Sequence, residues 1–285
     1  MGFNKRDISL LEALADASLK RGDYEGAARF FRYIAVHYGL QKDEVNRKNF
    51  SRRAGECYMH AAEKSKNPFN ATMLYLKAAE SLIECGDAEI VDYCGLRIWE
   101  NYIAVRESDL EVGSEEIHVL KLAGDFFSAN GDLKKAAVIY GDAAEKSFRG
   151  GKLLLAGNLY RDAGDCSWRI GEIENAANLH LKAADTYLWC QEYFEAAWSY
   201  CKASFLFLYL GRHKEASDCA EKAELSCLKG EIGIFLKDLS HVCRLLSKGH
   251  TSEAMGLWNK VKLKLREEYI QFIETLFSPQ TSTKT

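Results

Sequence analysis

The stretch from Gly171 to Cys190 reads GEIENAANLHLKAADTYLWC. Ile173, Ala176, Ala177, His180, Ala184, Tyr187 and Leu188 recur at helical spacing on one side of it. Glu172 and Glu174 stand at its start, where acids suit the helix dipole. Gly171 precedes them and can take the left-handed conformation that closes the helix before. The stretch is therefore one helix and one tight turn.

The same phrase returns every twenty residues. Ala123-Gly124-Asp125, Ala143-Ala144-Glu145, Ala163-Gly164-Asp165, Ala183-Ala184-Asp185, Ala203-Ser204 and Ala223-Glu224 hold one register. Gly131, Gly151, Gly171, Gln191 and Gly211 hold a second, with Gly230 one residue early. Gly22-Asp23-Tyr24, Gly131-Asp132-Leu133 and Gln191-Glu192-Tyr193 each lead to an alanine pair, at 27–28, 136–137 and 196–197. Gly211 with Ala216 and Gly249 with Ala254 are weaker copies. A fixed period of this length marks a repeat architecture. Small residues at equivalent mid-helix sites let neighbouring axes approach, with tyrosine and phenylalanine filling what they leave. Glycine at 124 and 164 supports packing over mere helix propensity, since mid-helix glycine costs about 1 kcal/mol relative to alanine.

Working outward, helices are expected at 5–21, 23–38, 43–65, 69–85, 88–105 and 115–130, with a loop from Arg106 to Ser114. Ala203 to Leu210 is apolar all round, so it must be covered on more than one side, and the helices after 230 are the candidates. Ser252 to Phe277 carries an apolar stripe of Ala254, Trp258, Val261, Leu265, Tyr269, Phe272, Ile273 and Leu276, as one long helix or two short ones. The expected fold is all-α: a right-handed superhelix of about fourteen helices in antiparallel pairs, tetratricopeptide-like over 1–229. A helical bundle at 230–277 and a disordered tail at 278–285 complete it.

Composition agrees. The chain is 47% hydrophobic and 28% charged with net charge −3, which suits a soluble globular protein with a sizeable core. Two prolines, Pro68 and Pro279, leave room for long helices. No signal peptide or membrane-length apolar run is visible. Nine cysteines at irregular spacing, with no C-x-x-C, read as small core residues in a reducing compartment, so a cytoplasmic location is expected. The Asn70-Ala71-Thr72 sequon carries little weight without a secretory signal.

Charge is uneven. From Glu80 to Glu116 eleven acids face only Arg97 and Arg106, while between Lys42 and Lys66 seven bases face four acids. Arg47, Lys48, Arg52 and Arg53 fall together, and Lys260, Lys262, Lys264 and Arg266 interleave with the last apolar stripe. Solvated helix faces account for most such runs. As orienting surfaces for a protein partner, Arg47, Lys48, Arg52, Arg53, Lys262, Lys264 and Arg266 are the candidates.

No catalytic, cofactor or metal site is expected. The Walker, dinucleotide, zincin and nucleophile-elbow patterns are all missing. Gly150-Gly151-Lys152 falls on a turn of the beat rather than in a phosphate loop. His180 reads as a satisfied core histidine, Asp125, Asp165 and Asp185 as a repeated interhelix or helix-turn feature, and Trp99, Trp168, Trp189, Trp198 and Trp258 as mostly core. Nucleic-acid binding is disfavoured by the near-neutral pI of about 6.2.

Helix pairs with a Gly-Asp-aromatic-x-x-Ala-Ala turn look like tetratricopeptide repeats, here at a period nearer forty than 34. Three segments resemble the soluble NSF-attachment proteins: Arg53-Ala-Gly-Glu-Cys-Tyr through Met73-Leu-Tyr-Leu-Lys-Ala-Ala-Glu to Cys85-Gly-Asp; Ala156-Gly-Asn-Leu-Tyr through Ala176-Ala-Asn-Leu-His-Leu-Lys-Ala-Ala; and Lys202-Ala-Ser-Phe-Leu-Phe with the helices after Gly230. The resemblance implies a non-enzymatic adaptor in vesicle fusion and intracellular transport. It would lay one face along an elongated helical, SNARE-like partner and dock a AAA ATPase through the C-terminal bundle, meeting membranes only peripherally. The alternative is a tetratricopeptide-type scaffold holding a short peptide or another protein in its concave groove. Two features depart from the family. Lys20-Arg21-Gly22-Asp23 is a tight polar turn where membrane-linked members carry an apolar loop, and Ser282-Thr283-Lys284-Thr285 stands where they carry acids and a leucine.

Overall fold

The computed structural model describes residues 5–108 and 113–277. Among the described residues there are fourteen α-helices, two 3-10 turns and no strand. The chain divides into two compact units, residues 1–130 and 131–285.

The first unit holds α1 (Lys5–Lys20), α2 (Tyr24–Leu40), α3 (Glu44–Lys64), α4 (Pro68–Ile83), α5 (Ala88–Arg106) and α6 (Ser114–Ala129). Each helix through α5 packs on the one before it, and α6 packs on α4. These helices begin and end within two residues of their expected bounds. Residues 109–112 of the expected loop, and the 278–285 tail, lie outside the described residues.

The second unit holds α7 (Leu133–Arg149), α8 (Leu153–Arg169), α9 (Ile173–Trp189), α10 (Tyr193–Tyr209), α11 (His213–Lys229), α12 (Ile234–Ser247), α13 (Thr251–Val261) and α14 (Glu267–Glu274). Five successive helices of 17 residues, each roughly 26 Å long, embody the beat. The 252–277 stripe resolves into two short helices, because the 3-10 turn Lys262–Lys264 and extended backbone at Leu265 and Arg266 interrupt it. A second 3-10 turn, Thr275–Phe277, follows α14. The 230–277 segment packs α12 against both α11 and α10. The apolar stretch from Ala203 to Leu210 is covered through Leu208, while Tyr209 and Leu210 at its end are exposed.

The turns explain the second register of the beat. At Gly171 (φ +82°) the Glu172 N–H reaches back to the Ser167 carbonyl at 2.9 Å, closing α8. Gln191 adopts the same left-handed backbone (φ +63°) without being glycine. At the last turn the left-handed residue is Glu231 (φ +49°), in register, and Gly230 has another reason. A Cβ on Gly230 would lie 2.5 Å from the Cβ of Tyr193, so the glycine there admits a neighbouring helix.

The beat's alanines are fully buried: Ala143, Ala144, Ala163, Ala183, Ala184, Ala203 and Ala223. Rings fill the space left by glycine. A Cβ on Gly157 would come 2.9 Å from Tyr187, and one on Gly164 would come 3.0 Å from His180. All nine cysteines are free, and all but Cys85 and Cys190 are buried. The tryptophans correct the expectation of a mostly core placement. Only Trp258 is fully buried; Trp189 is 61% exposed, and Trp168 and Trp198 line a groove. No helix among the described residues is long and apolar enough to cross a membrane.

Candidate functional site

Three carboxylates one beat apart build three copies of one arrangement. Glu145 on α7 accepts a hydrogen bond from the Tyr160 hydroxyl of α8 at 2.7 Å, and Lys182 of α9 stands 3.8 Å away. Asp185 on α9 accepts from the Tyr200 hydroxyl of α10 at 2.5 Å and from Lys222 of α11 at 3.0 Å. In both copies the ammonium also lies over the tyrosine ring, at 5.4 and 5.3 Å from its centre. The acid, ring and lysine are thus drawn from three consecutive helices.

The middle copy differs. Asp165 on α8 faces His180 of α9, not a tyrosine, with Nε2 at 3.3 Å, and Lys202 of α10 donates to it at 2.5 Å. The missing phenol arrives from α14. Tyr269 donates its hydroxyl to Asp165 at 3.3 Å, and Lys202 lies 4.9 Å from the centre of its ring. Lys202 is 9% exposed, against 57% and 46% for Lys182 and Lys222.

Burial sets the electrostatics of this copy. It lowers both the His180 imidazole and the Lys202 ammonium from their ordinary values, and Asp165 pulls each back. Burial opposes the Asp165 charge as well, but His180 and Lys202 outweigh it and hold the carboxyl well below the usual range. About a third of the Asp165 side chain stays accessible, yet its bonded oxygen is crowded by these partners. His180 is only half satisfied: its Nδ1 is buried and has no hydrogen-bond partner among the described residues.

Around this copy runs an apolar groove formed by α8, α10 and α12. Trp168, Trp198, Cys201, Phe205, Leu206 and Leu239 line it, and Tyr269, Phe272 and Ile273 of α14 fill it. The Trp168 and Tyr269 rings stack at 4.7 Å and 7°, Phe272 stands edge-on to Trp168 at 5.7 Å, and Tyr209 closes on Phe272 at 5.3 Å. The space left is about 30 Å³. Beside α14 the groove opens into a concavity of about 410 Å³ whose rim carries Lys264 and Arg266, with Phe194 and Phe235, and Arg161 lying 3.9 Å from Glu195.

The structure divides the expected partner-binding residues. Lys264 and Arg266 converge on this concavity, both exposed and neither in an ion pair among the described residues. Lys262 is bonded to Glu274 at 2.9 Å. In the first unit the basic cluster is met by acids. Arg47 bonds Glu44 and Glu84, Arg52 grips Asp87 through two 2.8 Å bonds, and Arg53 lies 3.6 Å from Asp16 and 3.9 Å over the Phe31 ring. Lys48 is exposed. The acidic 80–116 and basic 42–66 stretches thus neutralise each other in part across α3, α4 and α5. No group of three or more His, Cys, Asp or Glu among the described residues is placed to hold a metal.

The sequence singles out Asp165 and His180, but shows Tyr269 only as part of an apolar stripe and gives Lys202 no role beside Asp165. The lysines could have been found, since 182, 202 and 222 share the beat with the rings at 160, 180 and 200.

Neither a family model nor a curated protein matches the sequence. Solved structures do match in fold. A signal-transduction ATPase with numerous domains that bears a tetratricopeptide repeat sensor, from Pyrococcus horikoshii, superposes with a TM-score of 0.54 at 14% identity. The match covers 96% of this chain and 45% of that one, so the chain spans less than half of that protein's length. BtubC from P. vanneervenii matches at 0.44 and 13% identity, over 79% of this chain and 91% of its own. Aspartyl phosphate phosphatase F from Bacillus subtilis matches at 0.43 and 13% identity, over 92% and 70%. The likeness is one of fold: a tetratricopeptide-like helical repeat.

Proposed function

We propose that the protein is a non-enzymatic adaptor that holds an acidic, amphipathic helix of another protein in the groove between α8, α10 and α12. The observation that carries this reading is the segment already there. α14 reads EEYIQFIE, with three acids, no base and one apolar face, and that face lies against Trp168. The groove therefore suits a ligand of that chemistry. Lys264 and Arg266 on its open rim complement the acids such a helix brings. Helix-in-groove recognition needs only apolar anchors at i, i+3 and i+4, the spacing of Tyr269, Phe272 and Ile273.

A SNARE-like bundle and a AAA ATPase are the partners implied by the resemblance to the soluble NSF-attachment proteins. The structural likeness reaches the tetratricopeptide-like fold and goes no further, so the proposal rests on the groove.

The test is selection of helical peptides from a displayed library on the full chain, followed by fluorescence anisotropy. Selected peptides should be acidic and aromatic-bearing, should weaken as salt rises, and should lose about tenfold in affinity to Lys264→Glu/Arg266→Glu. Selected peptides that bind this double variant as well as the wild type would place the docking surface elsewhere.

A further inference from the structure

The tyrosine copies and the histidine copy of the beat differ by one phenol, and α14 supplies it. Tyr160 and Tyr200 each do two things: they donate to the carboxylate and lie beneath the lysine. Tyr269 does both for Asp165 and Lys202. It enters from outside the twenty-residue register, in a helix reached through a 3-10 turn and extended backbone at Leu265 and Arg266. It therefore takes the place of a ligand rather than of a repeat residue.

We infer that α14 is the groove's own displaceable occupant, and that an incoming partner helix competes with it by presenting a tyrosine to the Asp165–Lys202 pair. The inference rests on the groove reading above and adds the identity of the anchor and the device that guards it.

Three observations support displacement. An eight-residue helix has no stability of its own, so α14 forms only while docked. Within α14 only Ile273 is buried, whereas α12 buries six residues. The polar pair does not need α14 either. Asp165 and Lys202 keep each other when Tyr269 leaves, as Asp185 and Lys222 do in contact with solvent. Departure of α14 thus uncovers an apolar groove without stranding a charge. The Glu274 contacts to Lys262 and to the Trp258 indole, at 2.9 and 3.4 Å, hold the far end of α14 and set how readily it leaves.

The experiment uses the full chain and a labelled peptide of residues 264–277 added in trans. The wild type should bind it weakly, because its own α14 competes. Tyr269→Ala/Phe272→Ala should bind it at least tenfold more tightly. On that variant, a peptide carrying Tyr269→Phe should lose about fivefold, since only the hydroxyl is gone. Equal binding by wild type and variant, or no loss with the phenylalanine peptide, overturns the inference. Circular dichroism of the variant checks that its helices remain. Hydrogen exchange on the unaltered wild type is independent of any substitution: α14 amides should exchange well before those of α10, and matched protection would make α14 a fixed cap. The two readings fail separately. Library peptides that bind the groove with no gain from the opening variant leave the adaptor and remove the competition. Capture of the 264–277 peptide with no library peptide selected does the reverse.

Discussion

Glu145, Tyr160 and Lys182, like Asp185, Tyr200 and Lys222, make a carboxylate, a phenol and an ammonium meet at the surface, with the lysines roughly half exposed. Asp165, His180 and Lys202 occupy the same three places on the next helices along, yet His180 is 1% and Lys202 9% exposed. The backbone places all three copies alike, and what covers them makes the difference. In a stack of antiparallel helices a feature repeated every helix turns alternately to opposite sides. The middle copy is the one beneath α14. Exposure then decides its energetics, because an ion pair in water contributes little while a buried one becomes costly once a partner is lost.

The sharpest way to break this comparison is to remove the acid from each copy. Asp165→Ala leaves the Lys202 ammonium and the His180 ring without their partner. It should destabilise the second unit by about 3 kcal/mol, the low end for a broken buried pair because Asp165 keeps some solvent access. Asp185→Ala removes one hydrogen bond from Tyr200 and one solvated lysine contact, and should cost about 1 kcal/mol. Urea unfolding followed by far-UV circular dichroism compares them. Equal losses would mean that α14 does not change the copy it covers.

The histidine gives the next largest effect. Burial lowers its folded-state pKa, so the unfolded chain takes up the proton first as pH falls. Stability should therefore be intact above about 6.5, His180's ordinary value, and fall below it, by at most about 1.4 kcal/mol per pH unit. The groups that face the ring are Asp165 and Arg161 from α8 and Lys202 from α10, with Tyr269 of α14 joined to the same Asp165 oxygen. In His180→Gln the slope between pH 6.5 and 5.5 should flatten. A slope that survives belongs to another group.

Gly164 sharpens the comparison at the level of packing. The outer copies have Ala144 and Ala184 where the middle one has glycine. A methyl group at 164 would meet His180 Nε2 at 3.0 Å, and the ring is held by Asp165. Gly164→Ala gains about 1 kcal/mol of helix propensity and loses about 2 kcal/mol to overpacking, for a net loss of about 1 kcal/mol in the urea midpoint series. A stabilised variant would show that the histidine is free to move.

Much of this is legible in the sequence. The period located helices and turns, because a helix with a tight turn repeats its small and left-handed positions wherever neighbours must approach. Gly230 shows the limit. It broke the register as a letter, while Glu231 kept it as a conformation. The rungs of the site were legible only in part. Their members stand 15 and 37 residues apart, and each alone is an ordinary acid, ring or lysine. Tyr269 lies outside the period, and nothing in a local reading ties it to Asp165, 104 residues away. The charge clusters were legible only in sign: the packing of α3 on α4 is what brings Arg47 to Glu84.

That first-unit cluster supplies the smallest expected effect and the cleanest contrast. Arg52 is half exposed, and its two bonds to Asp87 face water. Pairs of this kind are screened over roughly 10 Å at 0.1 M salt and over about 3 Å at 1 M, whereas a desolvated pair is screened far less. Arg52→Ala should lower the unfolding midpoint slightly at low salt, and the difference should shrink toward zero as salt rises. The Asp165→Ala deficit should persist over the same range. If the two deficits respond to salt alike, then either Arg52 is more sheltered than its exposure suggests or water reaches Lys202 past α14. The second case would be a direct sign that α14 leaves the groove unaided.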